Sequence, residues 1–166
     1  MREYFLKNPD KALRGVYADV ERMEGLHSFA KTDDFIVDSD EPQGIGGTNK
    51  GPTPTQLFLA SMAHCQAITL RIYAEGMGLI LDEVTVKVNG VLDLCGYYSI
   101  EDEKGATVDP SLQTVSIKTY IVTNETEGKV KLLIKATKGK GVCLSTVEKG
   151  LKIRYYYWLN GKHLRE

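Results

Sequence analysis

The sequence predicts an α+β fold with a largely antiparallel sheet, and three observations support that prediction. Short segments in which apolar and polar residues alternate, typical of half-buried strands, cluster at residues 15–37 and again at residues 83–89 and 114–122. Helical patterns stand between these clusters rather than after every strand. The length of 166 residues, with 42% hydrophobic and 26% charged residues, fits one compact domain spanning residues 1–166.

The longest predicted helix runs from Pro54 to about Glu75. Thr53 is its N-cap, Pro54 takes the first helical position, and Gln56 stands where it completes a capping box. Gly76 and Gly78 end the helix. Apolar residues cover almost every face of this segment, which predicts a central helix surrounded by protein. One short chain does not readily supply that much cover, so the pattern also predicts a partner subunit.

Two shorter helices are predicted further along the chain. Asn124 caps the first of them, Glu127 follows three residues later, and residues 138–141 end it. The second opens at Cys143 and is ended by Gly150.

The remaining segments predict a strand and two turns. Residues 151–159 have the pattern of a final strand, and Asn160 with Gly161 has the composition of the turn that follows it. The acidic segment at residues 101–105 is predicted to be a solvated hairpin tip.

Charge and cysteine content exclude several classes of protein. The 21 Lys and Arg residues nearly balance the 22 Asp and Glu residues, and a net charge of -1 argues against a nucleic-acid partner. Three cysteines are too few for a disulfide scaffold, and residues 1–7 lack the apolar stretch of a secretory signal, so we expect a cytoplasmic protein with free thiols. Polar residues such as Ser61 and Arg71 interrupt the apolar segment at residues 57–74, which favours a buried helix over a membrane span.

The glycine-rich segment at residues 40–54 predicts a loop, because its prolines and glycines are incompatible with a regular helix or strand. Residues 44–49 lack the third glycine of the dinucleotide-binding fingerprint, and Lys50 with Gly51 reverses the order that a P-loop requires. The segment is therefore predicted to be a flexible entry to the long helix rather than a phosphate site.

No metal site is predicted, because the three histidines are isolated and neither Cys-x-x-Cys nor His-x-x-x-His spacing occurs. These residues are His27, His64 and His163. His64 precedes Cys65 directly, but neighbours on a helix do not face one another, so His64 is predicted to be a partly exposed helix residue.

The three cysteines differ in their sequence context. Cys65 lies about three turns into the apolar helix, where position alone predicts a small buried side chain with an inert thiol. Cys143 lies at a helix start near Lys138 and Lys140, so the helix dipole and the nearby charges favour its thiolate. Cys95 is predicted to lie at a strand end and to be structural.

Two stretches of the chain resemble the OsmC/Ohr family. They are residues 46–57, with the sequence GGTNKGPTPTQL, and residues 60–65, with the sequence ASMAHC. The later Cys143, preceded by a helix and followed by Leu151, looks like the second half of that pattern. The resemblance implies an OsmC-like intertwined homodimer, in which antiparallel sheets wrap around central helices and the active sites lie at the dimer interface.

The same resemblance implies a thiol-dependent peroxidase that reduces organic hydroperoxides in an oxidative stress response. By that resemblance Cys65 is the peroxidatic cysteine, which becomes a sulfenic acid, and Cys143 is the resolving cysteine, which condenses with it to a disulfide. The two residues would then have to be adjacent in space. An external dithiol reductant restores both thiols, and no other cofactor is implied.

The family's peroxidases also hold the thiolate with an arginine from an early strand and a glutamate near the start of the central helix. Arg22 is the candidate for the arginine, with Arg14 as the alternative. The glutamate is absent, because Thr55 and Gln56 occupy the corresponding positions, although Gln56 can donate a hydrogen bond. Leu144 follows Cys143 where many members have proline.

Two other functions stay open at this point. A non-catalytic, dimeric OsmC-like binding or stress protein would hold an apolar ligand in its interface pocket. A redox sensor would use the same disulfide to change the surface that it presents to a partner.

Overall fold

A computed structural model of the chain describes residues 1–159 and 162–164. Two compact units make up the chain, Met1–Phe58 and Leu59–Glu166. Each unit contains helix and antiparallel strands, which confirms the predicted α+β class with antiparallel sheets. That the whole chain acts as one domain stays a prediction.

The first unit is built on a three-stranded antiparallel sheet with the strand order β1-β2-β3. A bulge between Val20 and Arg22 shifts the register of the first strand pair. The strands of this sheet confirm the short antiparallel strands predicted near the start of the sequence. The elements before the loop are α1 (Arg2–Lys7), a 3-10 turn (Pro9–Ala12), β1 (Asp19–Glu24), β2 (His27–Thr32) and β3 (Phe35–Ser39).

The glycine-rich loop is organised around the buried side chain of Asp40. Its Oδ2 accepts hydrogen bonds from the Thr48 hydroxyl at 2.6 Å and from the backbone N–H groups of Thr48 and Lys50, both at 3.0 Å. Its Oδ1 accepts from the backbone N–H of Glu41 at 2.8 Å. The Thr48 hydroxyl and these N–H groups hold the pKa of the Asp40 carboxyl far below its usual range. The loop is thus a hydrogen-bonded structure, and its predicted flexibility stays a prediction.

The long helix, α2 (Pro54–Gly76), begins and ends close to where the sequence predicts. The capping box is present: the backbone N–H of Thr53 donates to Gln56 Oε1 at 2.8 Å, and that of Gln56 donates to Thr53 Oγ1 at 3.2 Å. Met62, Leu70 and Ala74 are buried. Several other apolar side chains of the helix are more than 40% exposed, so this chain covers only part of it; they are Phe58, Ile68 and Ile72.

The second unit pairs a long β-hairpin with the rest of α2 and two further helices. β4 and β5 are antiparallel along their whole length, and β6 and β7 form a short antiparallel pair. Leu70, Ala74, Leu79, Leu81 and Leu133 form the core. The elements after α2 are β4 (Glu83–Leu92), α3 (Leu94–Tyr97), β5 (Leu112–Val122), α4 (Glu127–Thr137), α5 (Val142–Lys149), β6 (Tyr157–Leu159) and β7 (Lys162–Leu164).

Three local predictions in the second unit are wrong. The N-cap of α4 is Thr126 rather than Asn124, and it makes no side-chain capping bond. Cys95 lies in the one-turn helix α3 rather than at a strand end, because the Asp93 carboxylate accepts its backbone N–H at 2.8 Å and caps that turn.

The final strand is also shorter than predicted. Only Tyr157–Leu159 is strand, because no strand in the described residues pairs with residues 151–156. The predicted turn at Asn160 and Gly161 lies outside the described residues. Among the helices that the structure describes, none is long and apolar enough to span a membrane.

Candidate functional site

The structure brings two of the predicted site residues together, Cys65 and Cys143. Cys65 lies in the middle of α2, and Cys143 is the second residue of α5. Both are free, half-buried thiols, and Cys65 Sγ lies against Gly141, the N-cap of the helix that carries Cys143. Thiols that the fold brings together in this way are placed to form a disulfide.

Gly141, the N-cap of α5, makes this approach of the two helices sterically feasible. It is buried, and a Cβ atom built on it would lie only 3.1 Å from Cys65 Sγ and 3.5 Å from Leu144 Cδ1. A Cβ at this position would move the sulfur by a few tenths of an ångström, whereas the leucine is at ordinary contact distance. The sequence signalled Gly141 only as a helix terminator, because its contact partner is remote along the chain.

The pKa of the Cys143 thiol is raised above its ordinary value. Burial is the largest cause, followed by the charge of Cys65 and by the hydrogen bond to it, while a hydrogen bond from Ser61 acts in the opposite direction. The prediction that the helix start and Lys138 and Lys140 favour a Cys143 thiolate is therefore wrong. Both lysines are exposed, so solvent screens their charges, and burial dominates.

Ser61 is a site residue that the sequence reasoning missed. It lies one turn before Cys65 on α2, and residues four apart share a helix face, so both can reach the same residue of α5. The available signal was the four-residue spacing, but nothing in the sequence shows that α5 packs on this face.

Arg22 and Gln56 belong to the first unit. The Arg22 guanidinium lies over the Phe29 ring, with Cζ 3.9 Å from its centroid, and its Nε is 3.7 Å from Glu24 Oε1. The ring contact is a cation–π interaction, and the ion pair is exposed and weak. Gln56 uses its carbonyl oxygen in the capping box. Arg14, the alternative arginine, is exposed and lies outside any helix or strand.

A cavity of about 320 Å³ adjoins the cysteine pair. Gly141 separates it from Cys65, and Leu144, the neighbour of Cys143, forms part of its wall. Its wall is mixed: apolar side chains such as Leu70 and Ile121 alternate with polar ones such as Gln66 and Thr137, and Lys138 and Glu148 are the charged groups. A site of this kind holds an apolar molecule and orients it with a few polar groups.

Cys95 stands apart from this site. It is exposed in α3, and a hydrogen bond with Asp93, together with the charge of that carboxylate, raises the pKa of its thiol. A thiol of this kind is a poor nucleophile at neutral pH. Within residues 1–159 and 162–164, no three side chains of His, Cys, Asp or Glu are grouped so that they could hold a metal ion.

The sequence profile described as OsmC-like protein matches residues 47–155, which contain both Cys65 and Cys143. The chain belongs to the OsmC-like family. The predicted family is thereby confirmed. A comparison with curated proteins gives no significant match.

Solved OsmC structures share this fold. An OsmC-like protein from Mycoplasma pneumoniae has a TM-score of 0.62 and 16% identity, over 83% of this chain and 89% of that one. A Legionella pneumophila protein, described as an organic hydroperoxide resistance protein and predicted redox protein, has a TM-score of 0.59 and 20% identity, over 82% and 90%. An organic hydroperoxide resistance protein from Elizabethkingia anophelis has a TM-score of 0.52 and 18% identity, over 82% and 90%. The OsmC-like fold is confirmed.

Proposed function

We propose that this OsmC-like protein is a thiol peroxidase that reduces organic hydroperoxides with Cys65 as the attacking and Cys143 as the resolving residue. One observation carries the proposal. The two cysteines that the family resemblance pairs lie far apart in sequence, yet in the folded chain Cys65 Sγ lies against Gly141, the N-cap of the helix that carries Cys143.

The proposed reaction has two chemical steps. The Cys65 thiolate attacks one peroxide oxygen, the O–O bond breaks, and the leaving alkoxide takes a proton to become an alcohol, which leaves Cys65 as a sulfenic acid. The Cys143 thiolate then attacks Cys65 Sγ. The S–S bond forms as the S–O bond breaks, and the departing hydroxide takes a proton to become water. An external dithiol reduces the disulfide by two thiol–disulfide exchanges.

The surroundings of the two sulfurs support this order of events. The raised pKa of Cys143 keeps that residue protonated as a thiol near neutral pH. A protonated thiol is a poor nucleophile toward peroxide. We therefore assign the first attack to Cys65.

Two further residues belong to the proposal in supporting roles. We assign to Arg22 the stabilisation of the Cys65 thiolate, and to Gln56 an uncharged hydrogen bond where the family's peroxidases have a glutamate. The amide group of Gln56 keeps its N–H donors for this purpose, because the capping box uses only its oxygen.

The substrate class follows from the cavity beside the thiols. The apolar part of its mixed wall suits the organic part of a hydroperoxide, and hydrogen peroxide has no such part. Two of the similar structures are described as organic hydroperoxide resistance proteins, which supports the same class. The homodimer and the cytoplasmic location remain part of the proposal, and the exposed Ile68 and Ile72 of α2 are apolar surface that a second copy would cover.

A second candidate function is a non-catalytic binding protein. A larger cavity of about 550 Å³ lies on α2, lined mainly by apolar residues such as Ile68, Ile72 and Leu81, and neither Cys65 nor Cys143 lines it. That cavity favours a role in holding an apolar ligand. A redox sensor is the third candidate, since the cysteine pair alone supports reversible oxidation.

Hydroperoxide consumption by matched cysteine variants separates these functions. Cumene hydroperoxide and hydrogen peroxide are offered with dithiothreitol to the native protein, Cys65→Ser, Cys143→Ser and the control Cys95→Ser. We expect sustained turnover, faster with cumene hydroperoxide, in the native protein and Cys95→Ser, and none in Cys65→Ser.

Without dithiothreitol, Cys143→Ser should consume one equivalent and form no internal disulfide, as mass spectrometry would show. Oxidation of the native protein to a disulfide without sustained turnover would replace the proposal by the sensor. Absence of any reaction, with an apolar ligand retained through purification, would replace it by the binding protein.

A further inference from the structure

One face of the three-stranded sheet carries a row of side chains that includes Arg22. Arg22 on β1 is paired with Phe29 on β2, and Phe29 is paired with Asp38 on β3. Residues directly opposite one another in antiparallel strands project to the same face, so the three side chains are neighbours. The Arg22 guanidinium lies over the Phe29 ring, with Cζ 3.9 Å from the ring centroid.

The bulge in β1 places Arg22 on the face of this ring. Pairing with β2 is regular up to Val20 and resumes at Arg22, so Glu21 is the extra residue of the bulge. Without the bulge Glu21 would stand opposite Phe29 and Arg22 would project to the other face, because side chains alternate along a strand. Bulges re-aim side chains in this way.

A buried histidine supports the Phe29 ring. His27 lies two residues before Phe29 on the same face of β2, and the centroids of the two rings are 4.3 Å apart. His27 is buried, and its Nε2 is 3.2 Å from Asp38 Oδ2. The loop packs against that oxygen, since a Cβ atom built on Gly51 would lie 3.0 Å from it. His27 is thus fixed, and its ring limits the positions that Phe29 can take.

The contact with the ring leaves the hydrogen-bonding groups of Arg22 accessible. Its side chain is 64% exposed, and its ion pair with Glu24 involves only Nε, at 3.7 Å. The two terminal amino groups therefore remain for another anion. Contact with a fixed ring also restricts a side chain that otherwise has many rotamers, so less entropy is lost when the anion is bound.

We propose that Phe29 is a positioning residue of the peroxidase reaction, because its ring holds the Arg22 guanidinium in the orientation that stabilises the Cys65 thiolate. The inference rests on the proposed function, which assigns that stabilisation to Arg22. The step that it favours is the attack of the thiolate on one peroxide oxygen, in which the O–O bond breaks and the alkoxide takes a proton. Phe29 forms no bond in this step and acts only through Arg22.

Removal of the ring should slow this first step. We expect Phe29→Leu to consume a single equivalent of cumene hydroperoxide about two- to fivefold more slowly than the native protein at neutral pH, which is the effect of an exposed cation–π contact. The deficit should shrink well above pH 8.5, where ordinary thiols ionise without help. Phe29→Tyr keeps the ring and should restore the native rate. Phe35→Leu removes a ring from the opposite face of the same sheet and, as the matched control, should change nothing.

A double-mutant cycle with Arg22→Gln separates positioning from general structural support. Once the guanidinium is gone, Phe29→Leu should have no further effect on the rate, because Phe29 acts only through Arg22. Equal slowing by Phe29→Leu in both backgrounds would overturn the inference.

NMR spectroscopy tests the placement of Arg22 without any peroxide. The Phe29 ring current shifts the side-chain signals of a guanidinium that lies over it, and their loss in Arg22→Gln assigns them. In Phe29→Leu these signals should move toward those of an arginine without a ring contact, whereas in Phe35→Leu they should stay. Unchanged Arg22 signals in Phe29→Leu would overturn the inference whatever the activity. Failure of the proposed function is seen separately, as a native protein that consumes no hydroperoxide while the Arg22 signals still move.

Discussion

Asp40 and Cys143 are two ionisable side chains that the fold affects in opposite directions. It favours the charged form of Asp40 and the neutral form of Cys143. Asp40 is buried, but one hydroxyl and three backbone N–H groups donate to it, so its charge is favoured. Cys143 is half-buried with weak sulfur hydrogen bonds, so its neutral form is favoured. A fully satisfied charge organises a loop and is chemically inert, whereas a thiol that keeps its proton beside a second sulfur can still react.

Among substitutions in the loop around Asp40, we expect the largest loss of stability at Gly47, where the backbone is tightly packed. Removal of the Asp40 charge should cost less. A Cβ atom at Gly47 would lie 1.8 Å from the backbone oxygen of Glu41, a distance that no side-chain rotation can relieve. We expect Gly47→Ala to lower the free energy of unfolding by about 3 kcal/mol or more, measured by urea denaturation.

Gly44→Ala is the matched control for that substitution. It lies in the same loop, no heavy atom lies within 4 Å of its built Cβ, and it should change the stability little. A native-like stability of Gly47→Ala would show that the loop can rearrange without loss, and would contradict the picture of a fixed network.

Local signals in the sequence predicted the framework of both regions. The capping box of Thr53 and Gln56 and the glycine that ends α2 depend on neighbours within a few residues, so they could be predicted without knowledge of the fold. Strand alternation likewise located the strands of the two main sheets. The Asn124 cap failed because Ser, Thr, Asn and Asp are all acceptable N-caps, and Thr126 stood two residues further on.

The candidate site was predictable only in part. Cys65 and Cys143 were paired by family resemblance, since no local pattern joins residues so far apart. Ser61 and Gly141 were missed because their importance depends on how α5 packs against α2. Asp40 was missed because its donors, the Thr48 hydroxyl and three backbone N–H groups, meet it only once the loop has folded.

Removing the charge of Asp40 should give the next largest loss of stability, and the size of that loss depends on pH. The native carboxyl has a pKa below the unfolded value of about 3.9, so its contribution to stability is complete above that value and is lost as the pH falls below it. Asp40→Asn keeps the shape but sets an N–H group against donors. Its loss of stability, measured by denaturation at a series of pH values, should be greatest near neutral pH and shrink in acid.

Asp34→Asn removes the same charge from an exposed turn and serves as the control for Asp40→Asn. It should show a small loss that does not follow this pH dependence. If the difference in the free energy of unfolding between Asp40→Asn and the native protein stayed constant down to acid pH, packing rather than charge would explain the role of Asp40.

We expect the smallest loss of stability from a substitution beside the cysteine pair, Gly141→Ala. Its effect on the rate of disulfide formation should be larger. Gly141→Ala places a methyl group 3.1 Å from Cys65 Sγ, and a few tenths of an ångström of movement relieves that contact, so we expect a loss of about 1 kcal/mol. The same movement separates Cys65 from Cys143 and should slow disulfide formation, followed by mass spectrometry after addition of hydroperoxide.

Gly128→Ala is the control, because it lies in α4 with open space around its Cβ. It should raise the free energy of unfolding by up to about 1 kcal/mol and leave disulfide formation unchanged. If Gly141→Ala formed the disulfide at the native rate, the close approach of α5 would have no part in the chemistry, and only the contrast in charge between Asp40 and Cys143 would remain.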